Sequence, residues 1–158
     1  MATTKLLSKL NSKWQFAFYL WYKLPAAFYC GVRLQQADLN GATATVPFKR
    51  RSQNPFGSTY FACLAMAAEL STGVLCLLAA SGIDKKVSML VVSIEGVFDK
   101  KATGITFFTC NDGQAIAAAM QQAHHQPTTI TCISKGYNAG RETVATFKIT
   151  WSFKIKNS

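Results

Sequence analysis

From Ala145 to Ile155 the chain alternates apolar and polar residues without a break. Ala145, Phe147, Ile149, Trp151, Phe153 and Ile155 fall on one side of a pleat, and Thr146, Lys148, Thr150, Ser152 and Lys154 on the other. A period of two predicts an antiparallel strand with one face buried. Tyr60 to Ser81 shows no such period. It is apolar or small almost throughout, and its single charge is Glu69. A stretch this long with no polar side predicts a helix enclosed by the rest of the fold. Its length would also cross a bilayer. Glu69, Ser71, Thr72 and Gly73 near its middle favour the buried core helix, so no integral membrane span is expected. Gly82 supplies a residue suited to the position after the helix end.

The remaining pattern is shorter-ranged. Leu6, Leu7, Leu10, Trp14 and Phe18 recur at helical spacing, and a short second helix is expected from Pro25. Lys5, Lys9 and Lys13 before an apolar run imitate a secretory signal, but Lys23 and Pro25 interrupt the run and no small-residue cleavage site follows. Residues 1–30 therefore read as a helical extension packed on a main domain of residues 31–158. A second reading lays this aromatic, basic segment on a membrane surface. Val32–Gln36 and Ala42–Phe48 read as a hairpin around Asn40-Gly41. A basic loop runs from Lys49 to Ser58. Val87–Phe98, Gly104–Cys110 and Thr128–Ser134 read as further strands. Asn111 and Gln114 have the spacing of a capping box before a small helix that ends by Pro127. One sheet wrapped around one apolar helix accounts for this order, with a partner subunit sealing what the sheet leaves open.

Charge and chemistry add less. The 158 residues suit one domain, and 49% hydrophobic with 15% charged residues describes a globular chain. The net charge of +10 favours an anionic partner. The positive charges come in short groups, such as Lys49-Arg50-Arg51, Lys85-Lys86 and Lys100-Lys101, with no run that reads as a nucleic-acid tail. The five cysteines are odd in number and lie mostly among apolar residues, as expected of free thiols in a reducing cytoplasm. His124 and His125 are adjacent and point apart on a helix, so they do not form a metal pair; no metal or other cofactor is expected. There is no nucleophile elbow, phosphate-binding loop or dinucleotide fingerprint.

One spacing stands out. Asn54 is followed after six residues by Tyr60, and Tyr60 after nine by Glu69, with Gly57 in the loop between. In element order, residues 31–156 resemble the hotdog-fold superfamily. The Asn54–Glu69 spacing is similar to that of the phenylacetate-pathway-like acyl-CoA thioesterases and their uncharacterised relatives. The resemblance implies an α+β fold, a curved antiparallel sheet around a long central helix, assembled as a homodimer or a dimer of dimers. It implies hydrolysis of an acyl thioester on coenzyme A or an acyl carrier protein. Glu69 would be the catalytic carboxylate, with Asn54 holding the carbonyl or water. The backbone N–H groups of Phe61 and Ala62 would polarise the carbonyl. Gly57 and Tyr60 would shape the substrate site, and Arg51 and Lys100 would meet phosphates. The family's His-Gly-Gly at the helix start is here Tyr60-Phe61-Ala62. Backbone donors survive that change, but side chains now stand where glycines allow close approach. The rival expectation is a non-catalytic acyl- or lipid-binding module.

Overall fold

The computed structural model describes residues 2–156. Its elements are α1 (Ala2–Asn11), α2 (Lys13–Lys23), α3 (Pro25–Tyr29), β1 (Arg33–Ala37), β2 (Ala42–Val46), α4 (Phe61–Ala80), β3 (Val87–Phe98), β4 (Thr106–Cys110), α5 (Gly113–Gln122), β5 (Thr128–Tyr137) and β6 (Thr143–Ile155). Six strands form one antiparallel sheet in the order β1-β2-β4-β5-β6-β3. The α4 helix packs against β1, β2, β4, β5 and β6, so the sheet wraps it.

That wrapping explains the composition of α4. Ala67, Ala68, Val74 and Cys76 are fully enclosed, and Leu64, Leu70, Leu75 and Leu78 nearly so. Each such leucine contributes roughly 1.5–3 kcal/mol through burial. The polar residues at the centre are satisfied locally. Ser71 Oγ donates to the Ala68 carbonyl at 2.8 Å and meets Ser134 Oγ at 2.8 Å. Thr72 Oγ1 donates to the Glu69 carbonyl at 2.9 Å and accepts from the Trp151 indole N–H at 2.9 Å. The β6 alternation appears as read: Phe147, Ile149, Trp151 and Phe153 are buried, while Lys148 and Lys154 are exposed.

Three local expectations change. The chain breaks at Ser12 between α1 and α2, and the break turns the helical stripe. Leu10 stays buried, but Trp14 and Phe18 face outward, and Phe16 and Leu20 enter the core instead. Asn111 and Gln114 form no capping box. The N-cap is Asp112, whose carboxylate accepts from the Ile133 N–H at 2.8 Å, while the Gln114 amide donates to Asn40 Oδ1. The end of α4 is capped by Ser81 in right-handed conformation, and Gly82 does not take the positive φ that a glycine stop uses.

At Gly113 the α5 start touches the β1–β2 turn. A Cβ there would lie 2.2 Å from the Leu39 carbonyl oxygen and 2.8 Å from the Asn40 carbonyl carbon, both backbone atoms. Gly113→Ala is expected to destabilise the fold by about 3 kcal/mol and lower Tm by roughly 5–10 °C. A thermal melt within a degree or so of wild type would show that this contact is free to relax.

Candidate functional site

The loop before α4 is built around Asn54. Its Oδ1 accepts from the N–H groups of Phe56 at 3.0 Å and Ser58 at 3.2 Å, and its Nδ2 donates to Ser58 Oγ at 3.0 Å. Gly57 sits in this turn at φ 76°, where a side chain is disfavoured. Asn54 thus holds the loop, and its amide is already engaged. The loop is pinned to the segment after β3 by Thr59, whose N–H donates to the Ala102 carbonyl at 2.8 Å. Tyr60 is the N-cap of α4 in extended conformation, with no side-chain capping bond.

Helix geometry leaves the first N–H groups of α4 without intrahelical acceptors. Cys63 and Leu64 donate to the Tyr60 carbonyl. Among the described residues, the N–H groups of Phe61 and Ala62 have no acceptor. Phe61 and Tyr60 are exposed and meet edge to face at 4.8 Å between ring centroids. A cavity of about 540 Å³ lies here, bounded by Asn54, Phe56, Tyr60, Phe61, Phe98 and Lys100. Lys100 is paired with Glu142, and that pairing, with a bond from Asn138, holds the Glu142 carboxyl below its usual range. Lys101 also borders the cavity and donates to the Phe56 carbonyl at 3.0 Å. Arg51 is exposed and does not line the cavity; its charge is felt by Arg33.

Glu69 lies two turns further along α4, roughly 12 Å from Phe61 along the axis. It borders a separate cavity of about 340 Å³, shared with Phe16, Tyr19 and Lys23 of α2, Met89 of β3 and Trp151 of β6. Among the described residues its carboxylate has no hydrogen-bond partner. Burial raises its pKa above the ordinary 4.5. Gly73 keeps space open beside it, since a Cβ would come within 3.2 Å of Oε1 and 3.4 Å of Trp151. The contribution of α2 was not legible in the sequence, because nothing on α4 marks what packs across from it. A single protomer therefore gathers Asn54, Tyr60, Phe61 and Lys100 at one cavity and leaves Glu69 at another.

The five cysteines are free. Burial pushes the Cys63 thiol up to about 12 and raises Cys76 as well; contact with Cys132, then burial, raises Cys110. None of these three is an activated thiolate at neutral pH. No group of three metal-ligating side chains occurs among the described residues.

A curved antiparallel sheet wrapped around one long helix is the hotdog fold. The chain has this fold, and the solved structures it is similar to include proteins described as probable or putative thioesterases. A Pseudomonas aeruginosa protein of unknown function, described as a probable thioesterase, aligns with a TM-score of 0.75 at 18% identity, over 90% of this chain and 95% of its own. A Chlorobaculum tepidum protein of unknown function aligns with a TM-score of 0.77 at 14% identity, over 95% and 99%. The E. coli PaaI protein, from the phenylacetic acid degradation operon, aligns with a TM-score of 0.63 at 16% identity, over 92% and 94%. No family model matches the sequence, and no curated protein matches it.

Proposed function

We propose that this protein hydrolyses an acyl thioester at a site shared between two protomers. The observation that carries the reading is Glu69, a carboxylate that has no hydrogen-bond partner among the described residues and borders a largely apolar cavity with Lys23 at its edge. Partial burial raises its pKa toward the range in which a carboxylate works best as a general base. Glu69 takes a proton from water as the water oxygen attacks the thioester carbonyl. The N–H groups of Phe61 and Ala62 hold the resulting oxyanion at the positive end of α4. Collapse of the tetrahedral intermediate breaks the C–S bond. The proton on Glu69 passes to the leaving sulfur, giving a carboxylic acid and a thiol. No metal or redox cofactor enters these steps.

The edge strand β3 supports the sharing. It spans 12 residues, pairs with β6 on one side only, and exposes Leu90, Val92, Ile94 and Val97. A long apolar edge of this kind invites another strand. Antiparallel pairing over its full length sets Val87 opposite Phe98 of the partner subunit. Met89, near one end, borders the Glu69 cavity, and Phe98, at the other, borders the cavity at Asn54 and Phe61. The pairing brings the carboxylate of one chain toward the free amides of the other. Lys101 at the cavity border, with Arg51 further out, supplies positive charge for coenzyme A phosphates or the acidic face of a carrier protein.

Thiol release from a panel of acyl-CoA substrates tests the reading. Turnover above the buffer rate is expected for at least one acyl chain. The second reading, a binding module, draws on the engaged Asn54 amide and on the side chains of Tyr60 and Phe61 at the helix start. It prevails if every thioester survives while acyl-CoA still binds.

A further inference from the structure

The α2 helix has two apolar faces. Phe16 and Leu20 point into the core. At 3.6 residues per turn, Trp14, Phe18, Trp21 and Tyr22 share an arc of about 100° on the opposite side. They are 89%, 66%, 48% and 66% exposed, and no charged residue interrupts them. None of the four borders the Glu69 cavity. Beside this arc, Trp14 and Phe18 join Leu6, Leu10 and Leu77 around an open apolar groove of about 570 Å³, with Lys9 at its border. An exposed aromatic surface of this extent needs an occupant.

The charge around it identifies one. Lys9 lies near the end of α1, and Lys13 and Lys23 bracket α2. The first acidic residue of the chain is Asp38; before it stand Lys5, Lys9, Lys13, Lys23 and Arg33. A second copy of the same face would set lysine against lysine, which disfavours a self-complementary contact. Tryptophan and tyrosine in an arc, with Lys13 and Lys23 at the two ends of the helix and the Lys23 ammonium over the Tyr22 ring, suit the headgroup level of a bilayer, with the rings among the upper acyl chains and the ammonium groups reaching for the phosphates. We propose that α2 docks this face flat onto an anionic lipid bilayer, making the protein a peripheral membrane protein. Tyr19, Lys23 and Leu24, on the flank of the same helix, border the Glu69 cavity. Docking would place that cavity beside the lipid surface, whatever chemistry it performs.

The test is flotation of the full-length protein with vesicles of phosphatidylcholine and phosphatidylserine in equal parts, and with pure phosphatidylcholine. The protein is expected to float with the anionic vesicles, to bind far less to the neutral ones, and to be released by added salt. The triple variant Trp14→Ser, Phe18→Ser, Trp21→Ser should lose at least about tenfold in vesicle affinity with an unchanged thermal melt, because these side chains lie outside the core. A second variant, Lys13→Gln with Lys23→Gln, should lose affinity for the anionic vesicles alone. Three results overturn the proposal: no flotation of the wild type with either vesicle, flotation of the triple variant equal to wild type, or a wild-type self-association that the triple variant abolishes. The last would assign the face to protein contact.

Discussion

Replacing Glu69 by Gln is expected to reduce thioester turnover on the order of 100-fold or more, the scale for losing a general base. The amide keeps the shape of the carboxyl group but accepts no proton. The same change should leave the fold intact, and the pH dependence of stability separates the two effects. Burial raises the Glu69 pKa above 4.5, so the folded protein holds this proton at pH values where the unfolded chain has released it. The resulting stability is fully present below the unfolded pKa and is lost as pH rises through the raised folded value. Glu69→Gln has no such loss. Its melting temperature should therefore gain on wild type as pH climbs through that window. The acid limb of kcat/KM should follow the same group, with activity rising as Glu69 ionises above the ordinary carboxylate range. Turnover unchanged in Glu69→Gln would remove the carboxylate from the mechanism. Melting curves of the two proteins that stay parallel across the window would mean that its pKa is not shifted.

What the sequence disclosed and what it hid follow from the range of each interaction. β6 and α4 were legible because their patterns are local and long: alternation around Trp151 for one, an apolar surround broken by Glu69 for the other. Glu69 stood out because nothing beside it in the chain neutralises it. The setting of Glu69 was not legible, because Tyr19, Lys23 and Met89 reach it from elements distant in sequence. The stripe through Trp14 and Phe18 misled for a local reason. A break at Ser12 rotates α2 against α1, and helical spacing carried across a break no longer marks one face. At α5, the pattern of Asn111 and Gln114 fits a cap, but Gln114 finds Asn40 across the fold and the tertiary bond wins. Lys100 likewise looked free for a phosphate until its partner, Glu142, came into place from the loop before β6.

Two inactive variants are expected to restore one another. Phe61→Pro removes one of the two free N–H groups at the start of α4 with little harm to the helix. Proline is tolerated at the first helical position, and Tyr60 already has the extended backbone that precedes proline. If that N–H holds the oxyanion, turnover should fall by about 100-fold or more. Phe61→Ala, which keeps the N–H and loses the ring, should stay far more active and so separates the amide from the side chain. Glu69→Gln is inactive for the other reason. In a dimer joined through β3, each site takes its amides from one chain and its carboxylate from the other. Unfolding and refolding the two variants together in equal amounts makes half of the dimers mixed. Each mixed dimer carries one site with both lesions and one with neither, so activity should return to about a quarter of the wild-type level. Refolding either variant alone should return nothing. No recovery in the mixture, with mixed dimers demonstrated by mass, would place the amides and the carboxylate in the same protomer or outside a common site. Recovery near a quarter would assign Glu69 and Phe61 to opposite sides of one shared site, as the open edge of β3 and the two cavities at its ends lead one to expect.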